Sequence, residues 1–458
     1  MLRLTIKIRK CFGQSGKTVW WIYFFALCFS GMLLTKIGAT DVMLEMVTVI
    51  VTIIGTVGVF RWFWANEKDK TAAFLMFCGY MVRVAYRYGT ESGILVLSYT
   101  SAPSDATQFW KTSSNLYFGL HSDVILTEYP YLLRDFYKVF GNNKFVAVYV
   151  NILFWALSSV ILMNLARAVR LSGIRKYILY GIWGILPSSI LVGTDLLREN
   201  IMVFFDMWSF YIFLMWMKNG KKLFFTWAFL LVAPAAYLHT ASISLWAAYI
   251  VIAAFWDKKE KRYIFSRKTM GLLCMGMLGG GCILFSPLRN IFGSYIGSDI
   301  SLYAITHRPI PIGGSDYLGW MDCQNWLQFI PYTFIRVFYF LFAPLPQEAR
   351  GMVDILSFIT DGLLVFILLI YMWHKLWDRK KRAAICAAFV CIMALAGIFA
   401  WGVRNSGTAI RHRMLLWGIL IMGVCIAMGR IEEQHEKNCF FSWKSKAWWG
   451  RKSSKFIG

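Results

Sequence analysis

The segment from Arg404 to Arg413 concentrates the side chains of this chain that are best suited to chemistry. It is polar and separates two long apolar runs. Guanidinium groups bind phosphates and carboxylates through paired hydrogen bonds, so Arg404, Arg411 and Arg413 together with His412 could hold a diphosphate. Anchoring of the chain at a membrane surface is the alternative. We expect a polar loop here that binds an anionic ligand.

Asp105 is the candidate catalytic base. It follows Pro103 and Ser104 and precedes Phe109 and Trp110. A carboxylate whose pKa is raised can take a proton from a hydroxyl group. Serine and aspartate are also common at the first position of a helix, where they cap free backbone N–H groups. The spacing alone allows both interpretations.

Arg198 and Glu199 are adjacent at the junction of two apolar runs. Neighbouring residues on a helix point in different directions, so the two charges need not neutralise each other. An ordinary solvated helix terminus is the alternative. Further candidates for substrate binding lie in other polar segments, and a structural or solvated role is the alternative for each: His239, His307, Arg308 and Arg350.

Patterns typical of metal, nucleotide or cofactor sites are missing from the sequence. It contains no HExxH, GxSxG, Walker or Rossmann motif in a suitable context, and no DxD pair that would hold a metal-bound nucleotide sugar. The ten cysteines are scattered and form no CxxC pair, so neither a disulfide framework nor a zinc site is indicated. The sequence therefore indicates no metal or cofactor site.

The composition is that of a polytopic helical membrane protein. Of the 458 residues, 58% are hydrophobic, 17% are aromatic and 16% are charged. The net charge of +24 would suggest nucleic acid binding in a soluble protein. Here the basic residues border apolar runs, so the excess of lysine and arginine in cytoplasmic loops explains the charge better, and no nucleic acid partner is expected.

The apolar runs predict an all-α integral membrane protein with about twelve transmembrane helices in one polytopic domain, 1–458. Basic clusters place both termini in the cytoplasm, including a basic tail at 430–458. Two long segments, 90–144 and 288–352, then lie outside, and 329–344 is re-entrant or rests on the outer surface unless 288–352 contains two spans. The predicted helices are 19–37, 43–66, 71–89, 145–166, 177–195, 200–217, 222–237, 240–256, 269–287, 353–374, 383–401 and 413–429.

An amphipathic helix is predicted within the first outer segment. Five apolar residues recur at helical spacing and give the helix one apolar face: Leu132, Leu133, Phe136, Tyr137 and Phe140. Gly141 is a suitable terminator because glycine readily adopts the backbone conformation that ends a helix.

Arginines outnumber lysines among the basic residues assigned to the outer side. Lysine would satisfy topology equally well, whereas arginine offers a planar fork for phosphate or carboxylate. Snorkelling or pairing with acidic residues is the alternative for any one of them. The outer arginines are Arg83, Arg87, Arg134, Arg198, Arg289, Arg308, Arg336, Arg350, Arg404, Arg411 and Arg413.

Several short motifs resemble two related groups of membrane enzymes. The strings Ser104-Asp-Ala-Thr-Gln-Phe-Trp110 and Leu196-Leu-Arg-Glu-Asn200 look like the GT-C superfamily of polyprenyl-phosphate-dependent glycosyltransferases. The strings Gly313-Gly-Ser-Asp-Tyr-Leu318, Phe340-Leu-Phe-Ala-Pro-Leu-Pro346 and Asn405-Ser-Gly-Thr-Ala-Ile-Arg-His-Arg413 look like Wzy-type oligosaccharide repeat-unit polymerases.

This resemblance implies a GT-C-like fold with an outward-facing site in a bacterial plasma membrane. The activity implied is polymerisation of undecaprenyl-diphosphate-linked repeat units into a capsular or exopolysaccharide, without a nucleotide sugar. Lipid-linked glycans are then both donor and acceptor, and polysaccharide-assembly proteins are further expected partners. Asp105 corresponds to the acidic residue of the outer loop, while Arg411 and Arg413, with Arg198, would hold the diphosphate leaving group.

Two other functions fit the same sequence. A GT-C transferase that adds one sugar from a polyprenyl-phosphate donor would have similar motifs. A flippase or transporter of lipid-linked oligosaccharides would also contain many helices and basic residues. The lack of an evident repeat between the two halves of the chain counts against transport.

Overall fold

The described part of the chain is built almost entirely from α-helices. A computed structural model describes residues 41–94, 102–121, 127–258, 260–265, 269–271, 274–275, 317–318, 321, 323 and 325–430. The first ten helices are α1 Asp41–Asn66, α2 Lys70–Glu91, α3 Ala102–Tyr117, α4 Tyr129–Phe140, α5 Lys144–Ala168, α6 Ile174–Ile185, α7 Pro187–Gly193, α8 Glu199–Asn219, α9 Lys222–Leu238 and α10 Ile243–Phe255.

Five further helices complete the described elements: α11 Trp326–Phe342, α12 Met352–Ser357, α13 Leu364–Lys375, α14 Arg382–Gly402 and α15 Ser406–Met428. A single π-helical turn, Phe358–Leu363, joins α12 to α13. Short 3₁₀ turns lie at Thr240–Ser242 and Pro346–Glu348. Two antiparallel strands of two residues each, β1 Trp256–Asp257 and β2 Arg262–Tyr263, follow α10.

Six helices among the described residues are long and apolar enough to cross a membrane, so the protein is a helical membrane protein. A seventh span would arise if α6 and α7, which meet at a bend of 41°, count as one broken helix. Pro187 at this bend cannot donate the backbone hydrogen bond that would continue α6. The six are Met46–Asn66, Lys144–Ala168, Glu199–Asn219, Met352–Lys375, Arg382–Gly402 and Ser406–Met428.

The described residues thus support fewer spans than the twelve apolar runs. The run 19–37 and most of 269–287 lie outside the described residues. The runs 222–237, 240–256 and 329–344 form apolar helices, but these are shorter than the spanning helices. Helix α2 is long, yet two arginines and its polar ends lower its hydropathy.

Helix α15 is the centre of the bundle. Its spanning segment is buried on every side, which fits a helix whose apolar residues are not restricted to one face. Glycines allow neighbouring helices to approach it closely. A Cβ atom at Gly418 would lie 2.7 Å from Cγ of Met207 on α8, and one at Gly423 would lie 2.5 Å from Cε of Met372 on α13.

One end of the bundle carries most of the basic side chains and is held by several contacts between helix ends. At one end Lys176 Nζ lies 3.1 Å from Glu67 Oε1, and Lys381 Nζ donates to the carbonyl of Ala427. The backbone N–H of Arg430 donates to the carbonyl of Val169 there. Most basic residues of the described loops and of the adjoining helix ends lie at this end: Lys68, Lys70, Arg167, Arg170, Arg175, Lys176, Lys218, Lys221, Lys222, Lys258, Lys375, Arg379, Lys380, Lys381 and Arg382.

The amphipathic helix predicted around 132–140 is confirmed as α4. Leu133 and Tyr137 are buried, while Leu132 is exposed. The ring of Tyr137 contacts Trp110 of α3 edge to face, with 5.6 Å between ring centroids. Gly141 ends the helix with a positive φ of 85°, as expected of a glycine terminator.

Candidate functional site

The structure brings three of the candidate residues into direct contact. The guanidinium of Arg411 donates from Nε to Glu199 Oε1 at 2.5 Å and from Nη1 to Asp105 Oδ2. Asp105 lies in the first turn of α3, Glu199 is the first residue of α8, and Arg411 is in α15. The ends of three helices, far apart in sequence, therefore meet at one arginine.

The prediction of a polar loop at 404–413 is wrong. Helix α15 begins at Ser406, so only the residues around Arg404 are irregular. Asn405 caps the helix, because its side chain accepts a hydrogen bond from the N–H of Thr408. The charges of Arg411 and Arg413 are tolerated in a buried helix because Arg411 meets two carboxylates and Arg413 meets one.

Arg198 and Glu199 diverge, as their adjacency on a helix predicted. Glu199 faces α15, whereas Arg198 donates from Nη1 to the carbonyl of Leu238 at 2.7 Å. The guanidinium of Arg198 also lies 5.9 Å from the ring centroid of Phe109 on α3. Both residues are buried, which excludes the solvated helix terminus.

Two histidines lie beside these charges. The ring centroids of His239 and His412 are 5.2 Å apart, and His412 stacks on Phe399 at 4.9 Å. His239 Nδ1 accepts a hydrogen bond from the N–H of Ala241. Burial holds the pKa of His239 well below its usual range, and the nearby charges of Arg198 and Arg411 lower it further.

We refer to Asp105, Arg198, Glu199, His239, Arg411 and His412 as the Arg411 cluster. Among its buried atoms, Glu199 Oε2 and His412 Nδ1 have no hydrogen-bond partner within the described residues. Buried polar groups normally find a partner, so each marks a place for water or for a polar ligand group. The cluster thus combines cations with hydrogen-bonding groups that are still available.

Arg413 does not join this cluster, although the sequence paired it with Arg411. Its Nη1 lies 3.2 Å from Asp361 Oδ2 and donates to the carbonyl of Leu341 at 2.8 Å. Its Nη2 donates to the carbonyl of Ala343. Residues two apart on an α-helix are separated by about 200°, so Arg411 and Arg413 lie on opposite faces of α15.

Asp361, the buried partner of Arg413, is a residue that sequence reasoning missed. It is fully buried in the π-helical turn and accepts hydrogen bonds from Trp417 Nε1 at 2.6 Å and from Ser188 Oγ at 3.2 Å. The available signal was a carboxylate inside the apolar run 353–374, since charges within a span are rare and usually have a partner.

Arg404 and Arg350 make contacts with other parts of the chain. Arg404 is buried, and its carbonyl accepts a hydrogen bond from the N–H of Tyr317. Arg350 is exposed at the start of α12, where its N–H donates to Asp354 Oδ2. His307 and Arg308 lie outside the described residues.

Two other outer arginines have structural contacts. Arg83 donates to the carbonyls of Gly79 and Gly184 and lies 3.9 Å from the ring centroid of Trp155. Arg336 donates to the carbonyl of Met321 and lies 4.6 Å above the ring of Trp401. For these two, internal pairing explains the arginine better than ligand binding does.

Groups of three or more His, Cys, Asp or Glu side chains that could hold a metal ion do not occur among the described residues. No family model, curated protein or solved structure gives a significant match to this chain. The chemistry of the Arg411 cluster is therefore the basis on which a function can be inferred.

Proposed function

We propose that this protein is a membrane glycosyltransferase that polymerises polyprenyl-diphosphate-linked oligosaccharide repeat units into a surface polysaccharide. Transfer takes place at the Arg411 cluster on the outer face of a bacterial plasma membrane. Lipid-linked glycans are both donor and acceptor, and polysaccharide-assembly proteins are further partners. A GT-C-like arrangement of about twelve membrane helices belongs to the same proposal.

The observation that carries the proposal is the sharing of one buried guanidinium between Asp105 and Glu199. Charges in a membrane bundle are costly, and well-packed apolar side chains would often serve stability as well or better. A cation kept at the meeting point of three helix ends is suited to binding an anion. Arg198 supplies a second guanidinium, whose charge acts on His239 together with that of Arg411.

The distribution of basic loops supports an outer location for the site. The end of the bundle opposite the Arg411 cluster carries most of the lysines and arginines of the described loops. Such loops face the cytoplasm in most membrane proteins. The cluster then faces the opposite side, where lipid-linked repeat units are polymerised.

The chemistry needed at this site is stabilisation of a leaving group. When a glycosyl group leaves a lipid diphosphate, negative charge develops on the phosphate oxygen. A fixed guanidinium in a water-poor site stabilises that charge, and removing one such group typically costs about 100-fold to 1000-fold in rate. Arg411 is held by the buried carboxylate of Glu199, which fixes its direction.

Synthesis by the purified full-length protein in lipid nanodiscs tests the proposal. With undecaprenyl-diphosphate-linked repeat units as substrate, we expect a ladder of lengthening products. A single mass increment from a polyprenyl-monophosphate sugar would instead identify a single-sugar transferase. Absence of any new glycosidic bond from both donors would contradict glycosyl transfer.

Genetics and labelling provide a second test. Deletion of the gene in the producing strain should leave single lipid-linked repeat units and abolish polymer, so long-chain polymer in that strain would reject the proposal. Cysteines placed beside the Arg411 cluster should react with impermeant reagents from outside only. Labelling from both sides would indicate alternating access and favour a flippase.

A further inference from the structure

The two carboxylates on Arg411 differ sharply in their exposure to solvent. The side chain of Asp105 is 43% exposed, whereas that of Glu199 is 1% exposed. An ion pair with a partly exposed partner contributes little to stability, because water screens the attraction and competes for both groups. The contact between Arg411 and Asp105 is therefore the exchangeable one.

Glu199 is fixed by its surroundings. It begins α8 and is followed by Asn200, whose side chain donates to the carbonyls of Asn151 and Gly193 at 2.9 Å each. Movement of Glu199 would disturb these hydrogen bonds, which join α8 to α5 and α7. Asp105, in contrast, is in the first turn of α3 and can leave Arg411 by rotation of its short side chain.

The three charged groups at Arg411 carry a net charge of about −1 in this arrangement. Two carboxylates meet one guanidinium, so an incoming diphosphate would meet a local excess of negative charge from these three groups. Like charges at contact distance oppose binding. Departure of Asp105 raises the local charge by one and vacates the hydrogen-bonding position on Nη1.

We propose that Asp105 occupies the position of the donor's diphosphate on Arg411, and that binding of the diphosphate displaces it. The same displacement frees the Asp105 carboxylate to act as the base. This inference rests on the proposed function for its substrate. It makes the base available only when a donor is bound, so donor binding and activation of the acceptor become one event.

The transfer step replaces one bond at C1 of the donor sugar by another. The bond between the donor sugar C1 and the diphosphate oxygen breaks, and its electron pair goes to that oxygen, beside Arg411. The acceptor hydroxyl oxygen forms a bond to the same carbon. Its proton passes to Asp105, which becomes a carboxylic acid and later returns the proton to solvent. No oxidant, reductant or further reactant is required.

Binding of inorganic pyrophosphate to the purified full-length protein tests the exchange of Asp105 for a diphosphate on Arg411, and it does so without any turnover. Asp105→Asn and Asp105→Ala remove the competing charge, so we expect each to bind pyrophosphate about fivefold more tightly than the wild type, given the modest strength of partly exposed ion pairs. Thermal unfolding verifies that each variant is folded. Unchanged or weaker binding in both variants, or no pyrophosphate binding by any protein, overturns the exchange.

Matched variants separate this effect from a general change in surface charge. Asp135 is an exposed carboxylate that pairs with Arg134 and Lys138 on α4, so Asp135→Asn should bind pyrophosphate like the wild type. Arg411→Ala should abolish binding. An increase in affinity for Asp135→Asn equal to that for Asp105→Asn would reject a specific exchange at Arg411.

The exchange and the proposed function fail in different ways. Asp105→Asn should bind pyrophosphate more tightly and yet lose at least about 100-fold in polymer synthesis, because a positioned base typically contributes that much. Tighter binding in a protein whose wild type makes no glycan rejects the proposed function and keeps the exchange. Active wild type without the gain in affinity rejects the exchange and keeps the function.

Discussion

Arg411 and Arg413 are two residues apart on one helix and have nearly the same burial, yet their surroundings differ. Arg411 shares its charge between a buried carboxylate and an exposed one. Arg413 meets Asp361, which is fully buried, and two backbone carbonyls of the α11 end. All the partners of Arg413 are internal, whereas one partner of Arg411 can be replaced from solvent.

This contrast separates a structural arginine from a functional one by a physical criterion. Burial of the guanidinium itself does not distinguish them, because both are almost inaccessible. The exposure of the carboxylate that pairs with each arginine does distinguish them. A ligand can replace only a carboxylate that can move away from the guanidinium. The comparison predicts that mutations at Arg413 act mainly on stability and those at Arg411 mainly on activity.

The largest loss of stability is expected from Arg413→Met. This change leaves Asp361 as a buried carboxylate without its cation, and breaking a buried pair in this way typically costs about 3–5 kcal/mol. We expect a large drop in unfolding temperature, measured in detergent. The double variant Arg413→Met with Asp361→Leu should recover most of the loss. If the single variant were as stable as the wild type, the structural role of Arg413 would be excluded.

Arg411→Lys should mainly reduce activity. Lysine keeps a positive charge near Glu199 but lacks the planar fork that bonds two partners at once. We expect polymer synthesis to fall by about 100-fold, within the range for loss of one stabilising donor, with a much smaller change in unfolding temperature than for Arg413→Met. Unimpaired synthesis by a folded Arg411→Lys protein would remove Arg411 from the reaction.

Asp105→Asn should change stability very little. Its pair with Arg411 is partly exposed, and such pairs contribute less than about 1 kcal/mol. The unfolding temperature should therefore stay close to that of the wild type. A destabilisation as large as that of Arg413→Met would mean that Asp105 is as structural as Asp361, and the contrast between the two arginines would disappear.

The smallest change in unfolding temperature is expected from Asp195→Asn, and this change depends on pH. Burial raises the pKa of this carboxyl group, so the folded protein binds its proton more tightly than the unfolded chain does. Ionisation of Asp195 therefore destabilises the fold. This loss of stability begins as the pH rises above the pKa in the unfolded chain, about 3.9, and is complete above the raised pKa in the folded protein. Asp195→Asn should therefore raise the unfolding temperature near neutral pH and leave it unchanged at the acidic end. The prediction is contradicted if the difference in unfolding temperature between Asp195→Asn and the wild type grows as the pH falls.

The sequence predicts the spanning helices better than the site. Observed boundaries of α5, α8 and α14 agree with the predicted runs to within about two residues, because their apolar stretches end abruptly at polar residues. The segment 404–413 was misjudged because its charges suggested a solvated loop. Only tertiary structure supplies the carboxylates that allow Arg411 and Arg413 to be buried.

Convergence of the cluster is a property of the fold rather than of local sequence. Asp105, Glu199 and Arg411 are each separated by roughly a hundred residues or more, and no periodicity links them. The sequence singled out each residue by its type and its position at the end of an apolar run. It also grouped Arg411 with Arg413 by proximity along the chain, although the helix turns them in opposite directions.

The π-helical turn at Phe358–Leu363 makes the Arg413 pair sensitive to chain length. Such a turn holds one residue more than an α-helical turn. Deleting one residue between Asp361 and α13 would turn the Asp361 side chain by about 100° about the axis relative to α13. A deletion that leaves every contacting side chain in the sequence would therefore have the same effect as losing one of them.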